Sequence, residues 1–192
     1  DYAGAIDIAN GATLQYASSA AQTLSGVISG SGSLVKDSAD SALTLSGVNT
    51  HTGAIDLDQG SIVIAASGQL QSGDYAGGMD IASGATLQYS SSAEQILSGV
   101  ISGAGTLVKD TANSSELTLS GVNSYSGDID VDAGAVIIAG AGQLELGNYS
   151  GALDIASGSI FEYASTENQT LSGVISGAGE LAKTTASSTL TL

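Results

Sequence analysis

The sequence predicts an all-β parallel β-helix of about eight rungs, and three observations predict it. The first is a repeated heptapeptide. Leu24-Ser25-Gly26-Val27-Ile28-Ser29-Gly30 returns at Leu97 to Gly103 and at Leu171 to Gly177, spacings of 73 and 74 residues. A chain that repeats itself at fixed spacing forms a solenoid, propeller or array. The second is a shorter glycine-led unit nested inside the long one. The third is the local pattern: runs of four to six residues alternate apolar and polar between Gly, Ser, Asn and Asp, which is the signature of strands. No stretch sustains the i, i+3, i+4 spacing of a helix.

The long unit runs over residues 2–74, 75–148 and, incompletely, 149–192, so the whole chain reads as a single β-helix segment. The nested unit starts at Gly4, Gly26, Gly53, Gly77, Gly99, Gly127, Gly151 and Gly173, at intervals of 22 to 28 residues. This predicts a rung of about 24 residues, with three rungs in each long unit. Each rung holds three strand-like pieces, typified by Ala5-Ile6-Asp7-Ile8, Ala12-Thr13-Leu14-Gln15-Tyr16 and Gln22-Thr23-Leu24-Ser25. One rung cannot bury its own apolar side, whereas stacked rungs share an interior. Strands stack about 4.8 Å apart, so eight rungs make a rod of roughly 35–40 Å.

Two junctions between rungs are longer. Val48-Asn49-Thr50-His51-Thr52-Gly53 and its copy Val122 to Gly127 read as an excursion. Asp74-Tyr75-Ala76-Gly77 reads as another. His51, Tyr125 and Tyr75 are therefore expected to project outward. Leu190-Thr191-Leu192 stops where the earlier copy continues Leu43-Thr44-Leu45-Ser46-Gly47, which predicts a segment of a longer protein.

Composition narrows the partners. The net charge is −16, the three basic residues are Lys36, Lys109 and Lys183, and Arg is absent. Phosphate backbones and anionic membrane surfaces repel such a chain, so nucleic acid and membrane surfaces are not expected partners. With no Cys, neither disulfides nor thiolate metal sites can form. No run approaches the roughly 20 apolar residues of a spanning helix, so direct membrane insertion of this segment is not expected. Apolar residues make up 42% of the chain, enough to build a core.

Gly30-Ser31-Gly32-Ser33-Leu34-Val35-Lys36, then Leu43-Thr44-Leu45-Ser46-Gly47-Val48-Asn49-Thr50, then Thr52-Gly53-Ala54-Ile55 resembles the passenger-associated repeat of Gram-negative autotransporters. Copies at 103–109 with 117–124, and at 177–183, extend the resemblance over essentially the whole chain. It implies a right-handed β-helical passenger exported to the bacterial surface. The passenger would be anchored through an outer-membrane barrel absent from this chain. Family roles range over adhesion, autoaggregation and carriage of other modules.

The candidate chemistry is sparse. His51 is the only histidine and its repeat equivalent is Tyr125, so a nucleophile–base triad has almost no material. In the first strand the expected column is Asp7, Ser29, Asp56, Asp80, Ser102, Asp130, Asp154 and Ser176. It sets Asp56 beside Asp80 and Asp130 beside Asp154, an unfavourable pairing of like charges. Asp58 and Asp132 add to these groups. Calcium at Asp56/Asp58/Asp80 and Asp130/Asp132/Asp154 is one resolution; a solvated acidic face is the plainer one.

A second expected column, Tyr16, Lys36, Ile64, Tyr89, Lys109, Ile138, Tyr163 and Lys183, places each Lys one rung from a Tyr ring. Its plainer reading is a ladder that stabilises the stack rather than a ligand strip. Asn113, Asn148 and Asn168 fall in glycosylation-like triplets, which arise by chance in a Ser/Thr-rich chain. No phosphate-cradling loop is present. Pectin-type β-helical enzymes use a basic residue beside a calcium cluster, and here the three Lys are repeat-equivalent.

No catalytic, cofactor-binding or metal-ligating residue is therefore assigned, and no cofactor is expected. The expected function is a non-enzymatic cell-surface passenger mediating adhesion, autoaggregation or biofilm-type contacts through a repetitive face. Its partners would be copies of itself or ligands on host or neighbouring cells. The alternative is a structural stalk or filament subunit that displays another module.

Overall fold

A computed structural model describes residues 1–111 and 115–192. The described regular structure is β-strand, apart from 3-10 turns at Gln71–Gly73 and Glu145–Gly147. Alternating apolar residues in short runs explain this. Leu34, Leu43, Leu45, Ile55, Leu57, Ile62 and Ile64 all point inward and are at most 1% exposed. Their neighbours Thr44, Asp56 and Val63 lie on the outer side. Burying each such Leu or Ile contributes on the order of 1.5–3 kcal/mol.

The strands pair in parallel between successive turns, which makes the protein a parallel β-solenoid of about eight turns. One ladder runs without a break through Gln22, Leu43, Ile62, Leu87, Leu107, Ile129, Leu153 and Ile175. A second runs through Leu14, Leu34, Ile55, Met79 and Ile101. A third runs through Gln95, Leu117, Val136, Phe161 and Leu181.

These registers correct the expected rung. A turn takes roughly 22 residues, not 24. The cause is the stretch Val48 to Thr52. It does not leave the coil but stacks on the turn below: Thr50 and His51 donate backbone N–H bonds to Ile28 O at 2.9 and 3.1 Å, and Thr52 to Gly30 O at 3.0 Å. Asn49 N–H bonds upward to Gln69 O at 2.8 Å. The copy is stacked likewise, with Ser124 N–H on Ile101 O and Ser126 N–H on Gly103 O. Each long unit therefore contributes ten stacked segments to three ladders, one more than three whole turns.

The long strands turn corners. Ser33–Leu45 pairs through Leu34 with Ile55 and through Leu43 with Ile62, its register shifting between Lys36 and Ala42. Close stacking at the corners demands glycine. Gly30, Gly103 and Gly177 have φ of +95°, +93° and +93°. A Cβ on any of them would lie within about 2.1 Å of the carbonyl oxygen of Ile8, Ile81 or Ile155 on the adjacent turn.

Candidate functional site

His51 is the residue whose placement departs furthest from expectation. It is 3% exposed, and Tyr125 and Tyr75 are each 1% exposed; all three face the interior rather than solvent. The reason is the stacking of Val48 to Thr52, in which alternate residues must face inward. His51 Nε2 lies 2.6 Å from Gly32 O, so this nitrogen carries the proton and donates it. The imidazole stacks on Tyr75 with centroids 6.3 Å apart and planes at 19°. Tyr125 fills the equivalent place, donating to Gly105 O at 2.8 Å and within reach of Asp128 O at 2.6 Å. Tyr75 donates to Gly53 O.

Burial lowers the His51 pKa, and its bond to Gly32 opposes that only in part. The unfolded chain therefore binds a proton before the folded chain does. The stability His51 contributes is complete above its ordinary pKa of about 6.5 and is lost as pH falls toward the lowered folded value. His51→Tyr copies the Tyr125 arrangement and removes the titration. Thermal melts at pH 7.5 and pH 5 are expected to differ less for His51→Tyr than for the parent. An unchanged gap would place the acid sensitivity elsewhere.

The acidic pairs form, but the expected single column divides. Asp56 lies opposite Asp80, and Asp130 opposite Asp154. The residue below Asp56 is Val35, not Ser29, and the residue below Asp130 is Val108, not Ser102. The two pairs consequently stand on different ladders. Ser102 and Ser176 each donate a 2.6 Å hydrogen bond to Asp80 and Asp154, and Ser29 donates one of 3.0 Å to Asp7. Partial burial raises the Asp56 pKa, helped by Asp58 and Asp80. Asp130 is raised in the same way, helped by Asp132, Asp154 and Asp128. Among the described residues, no three acidic or His side chains converge closely enough to hold a metal ion.

The Tyr–Lys neighbours also form, as three pairs on separate ladders. Lys36 is opposite Leu57 and Lys109 opposite Val131, so neither continues the expected column to Ile64 or Ile138. Each ammonium sits over a ring: Lys36 over Tyr16 at 5.8 Å, Lys109 over Tyr89 at 5.9 Å and Lys183 over Tyr163 at 5.7 Å. Lys36 and Lys109 are fully buried, so they are interior supports and not a surface strip. Lys109 Nζ donates to Thr111 O at 3.2 Å, Ala133 O at 3.3 Å and Ser115 Oγ at 3.4 Å. Burial lowers the pKa of both buried lysines.

The sequence reading missed Asn49 and Asn123. Asn49 Oδ1 accepts the Ile28 N–H at 2.9 Å while Nδ2 donates to Gly47 O at 3.0 Å. Asn123 does the same for Ile101 and Gly121 at 2.8 and 2.9 Å. Gln95 and Gln169 similarly bond both backbone groups of Leu70 and Leu144. These amides close the ladder where the backbone register lapses. Their signal was the recurrence of Asn directly after Leu-Ser-Gly-Val in both copies. Of the glycosylation-like residues, Asn148 and Asn168 are exposed and Asn113 lies outside the described residues.

A shallow groove of about 430 Å³ crosses successive turns over Asp40, Ser41, Gly60, Ser61, Gly84 and Thr86. Asp40 is the one titratable side chain in its lining, which supplies neither a base–nucleophile pair nor a second carboxylate. The family model described as passenger-associated-transport-repeat matches residues 40–64 and again 112–138. Two stretches of the chain are thus similar to the passenger-associated transport repeat. Each passenger repeat covers about one turn of the coil and includes the inward-facing segment with Asn49 and His51, or Asn123 and Tyr125. Together with the β-solenoid they fit an autotransporter passenger, and the repeat implies a secreted, surface-exposed location. A passenger fold of this kind is typically structural. No curated protein and no solved structure matches the chain.

Proposed function

We propose that the chain is one β-helical stretch of a longer, non-enzymatic cell-surface passenger. Its role is adhesion, autoaggregation or biofilm-type contact, directed to copies of itself or to ligands on neighbouring or host cells. Anchorage to the outer membrane falls to a region outside this sequence. The observation that carries the reading is repetition: the same heptapeptide, Tyr–Lys pair and acidic pair recur around an uninterrupted core. Many weak, equivalent contacts on one rigid body gain strength through effective concentration.

The test is clumping of beads or cells coated with the purified rod. Clumping is expected to rise with surface density, and to rise with salt, because screening relieves repulsion between bodies of net charge −16. A coat that stays inert at every density and salt concentration overturns the reading. It would favour a stalk that displays another module, which the continuity of the ladders also supports.

A further inference from the structure

The corner between strands Ile6–Ile8 and Thr13–Tyr16 carries the one Asn-Gly pair of the sequence, Asn10-Gly11. The chain closes there in a tight turn, with Ala12 N–H donating to Ala9 O at 2.9 Å. Gly11 has φ +77°, and nothing lies within 4 Å of the place its Cβ would take. Asn10 and Gly11 are both exposed. Among the described residues, Gly11 N–H has no backbone acceptor.

This openness belongs to the corner and not to its place in the first turn. The same turn recurs at Ala82-Ser83-Gly84-Ala85 and at Ala156-Ser157-Gly158-Ser159, closed by bonds of 2.9 and 3.0 Å. Gly84 and Gly158 each have φ +85° and an empty Cβ position. Ser83 and Ser157 are exposed although other turns stack on both sides of them. The turn that follows covers only the closing carbonyls. A Cβ on Gly32 would lie 2.4 Å from Ala9 O and Ala12 O, and one on Gly105 would lie 2.5 Å from Ala82 O and Ala85 O. The tip of the corner therefore meets water in all three copies, and the first copy alone carries an amide there.

The other described asparagines differ in these respects. Asn49 and Asn123 are buried, with both amide atoms hydrogen-bonded. Asn148 and Asn168 are exposed, but each precedes a bulky residue buried in a strand, Tyr149 and Gln169.

We propose that Asn10 is a site of spontaneous succinimide formation, converting to aspartate and to its β-linked isomer while the coil stays folded. Asparagine is among the labile residues of proteins, and a following glycine leaves the attacking nitrogen unhindered and its peptide free to rotate. The Gly11 backbone nitrogen attacks Asn10 Cγ. The N–Cγ bond forms, the Cγ–Nδ2 bond breaks, and the proton of the attacking nitrogen leaves with the amide as ammonia. Water then opens the ring. Breaking the new N–Cγ bond restores the ordinary backbone, with an aspartate in place of the asparagine. Breaking the bond between the Gly11 nitrogen and the Asn10 backbone carbonyl leaves the chain running through the side chain. Either product carries a carboxylate that the amide lacked, so each rod gains negative charge with age. The lengthened β-linked corner fits because its tip has no neighbours, and the strands on either side keep their ladders.

The test follows the folded chain and the denatured chain in parallel at mildly alkaline pH, by peptide mass spectrometry. A protein isoaspartyl methyltransferase probes for the β-linked form. In the folded chain, the peptide holding Asn10 is expected to change from amide to acid many-fold faster than those holding Asn148 and Asn168, and to accept methyl groups. Isoelectric focusing is expected to show a more acidic band. Asn10→Ser copies Ser83 and Ser157; it is expected to keep the circular dichroism of the parent and to lack that band. Conversion of Asn10 no faster than that of Asn148 and Asn168 overturns the proposal. So does conversion confined to the denatured chain, which would show that the stacked corner holds the amide out of reach. Loss of the coil's circular dichroism in step with conversion would overturn the claim that the corner accommodates both products.

Discussion

Gly103→Ala is expected to lower the melting temperature strongly, as a methyl added at a crowded corner. Two costs combine. At φ +93° an L side chain is strained, at on the order of 1–3 kcal/mol. The added Cβ would also stand 2.1 Å from Ile81 O, with Ile81 C at 2.6 Å and N at 2.9 Å. These are backbone atoms of a hydrogen-bonded turn and cannot swing aside, so overpacking adds roughly 1–3 kcal/mol. The sum is about 2–6 kcal/mol, or roughly 4–24 °C in Tm at about 2–4 °C per kcal/mol for a chain of this size. Gly158→Ala provides the comparison. Its φ is +85°, but nothing lies within 4 Å of the added Cβ, so only the conformational cost applies. Thermal denaturation followed by circular dichroism is expected to show a clearly smaller drop for Gly158→Ala. Equal drops would refute the close-stacking argument.

Lys109→Ala is the second large effect. The side chain is fully buried, its stem packs beside Tyr89, and its ammonium serves two carbonyls and a hydroxyl. Truncation leaves a void, at about 2–5 kcal/mol by analogy with other long buried side chains, and strands acceptors at roughly 1–3 kcal/mol each where water cannot enter. Lys109→Met restores most of the volume without the donors and separates the two costs. The expected order of Tm is parent, then Lys109→Met, then Lys109→Ala. Lys183→Ala is expected to cost less, because Lys183 is only partly buried. A Met variant as stable as the parent would show that the ammonium contributes by volume alone.

The fold class was legible because apolar alternation is a local property and each strand displays it separately. The neighbours Asp56/Asp80, Asp130/Asp154 and the three Tyr–Lys pairs were legible for a related reason: each joins strands one turn apart at matching positions of the nested unit. The size of the turn was not. From Val48 to Thr52 the alternation persists but its polarity is inverted. Val48, Thr50 and Thr52 face out, whereas Asn49 and His51 face in. Read by hydrophobicity, that stretch is a loop. Its inward polar groups are tolerable only because carbonyls and N–H groups of neighbouring turns satisfy them, and those partners are 19 to 21 residues away. Omitting one segment per unit stretched the inferred rung and merged ladders that are distinct. That repeat-equivalent residues such as Leu14, Leu87 and Phe161 stand on different ladders follows only from the true count of segments.

Among the described residues, the parallel ladders join each turn to the one before it and the one after it, and to nothing more distant. Such a coil has no keystone. Damage at one level leaves intact stacks on either side, so injury by a protease or a pulling force shortens the body without dissolving it. For a passenger exposed at a cell surface, as proposed, that is durability by graceful wear.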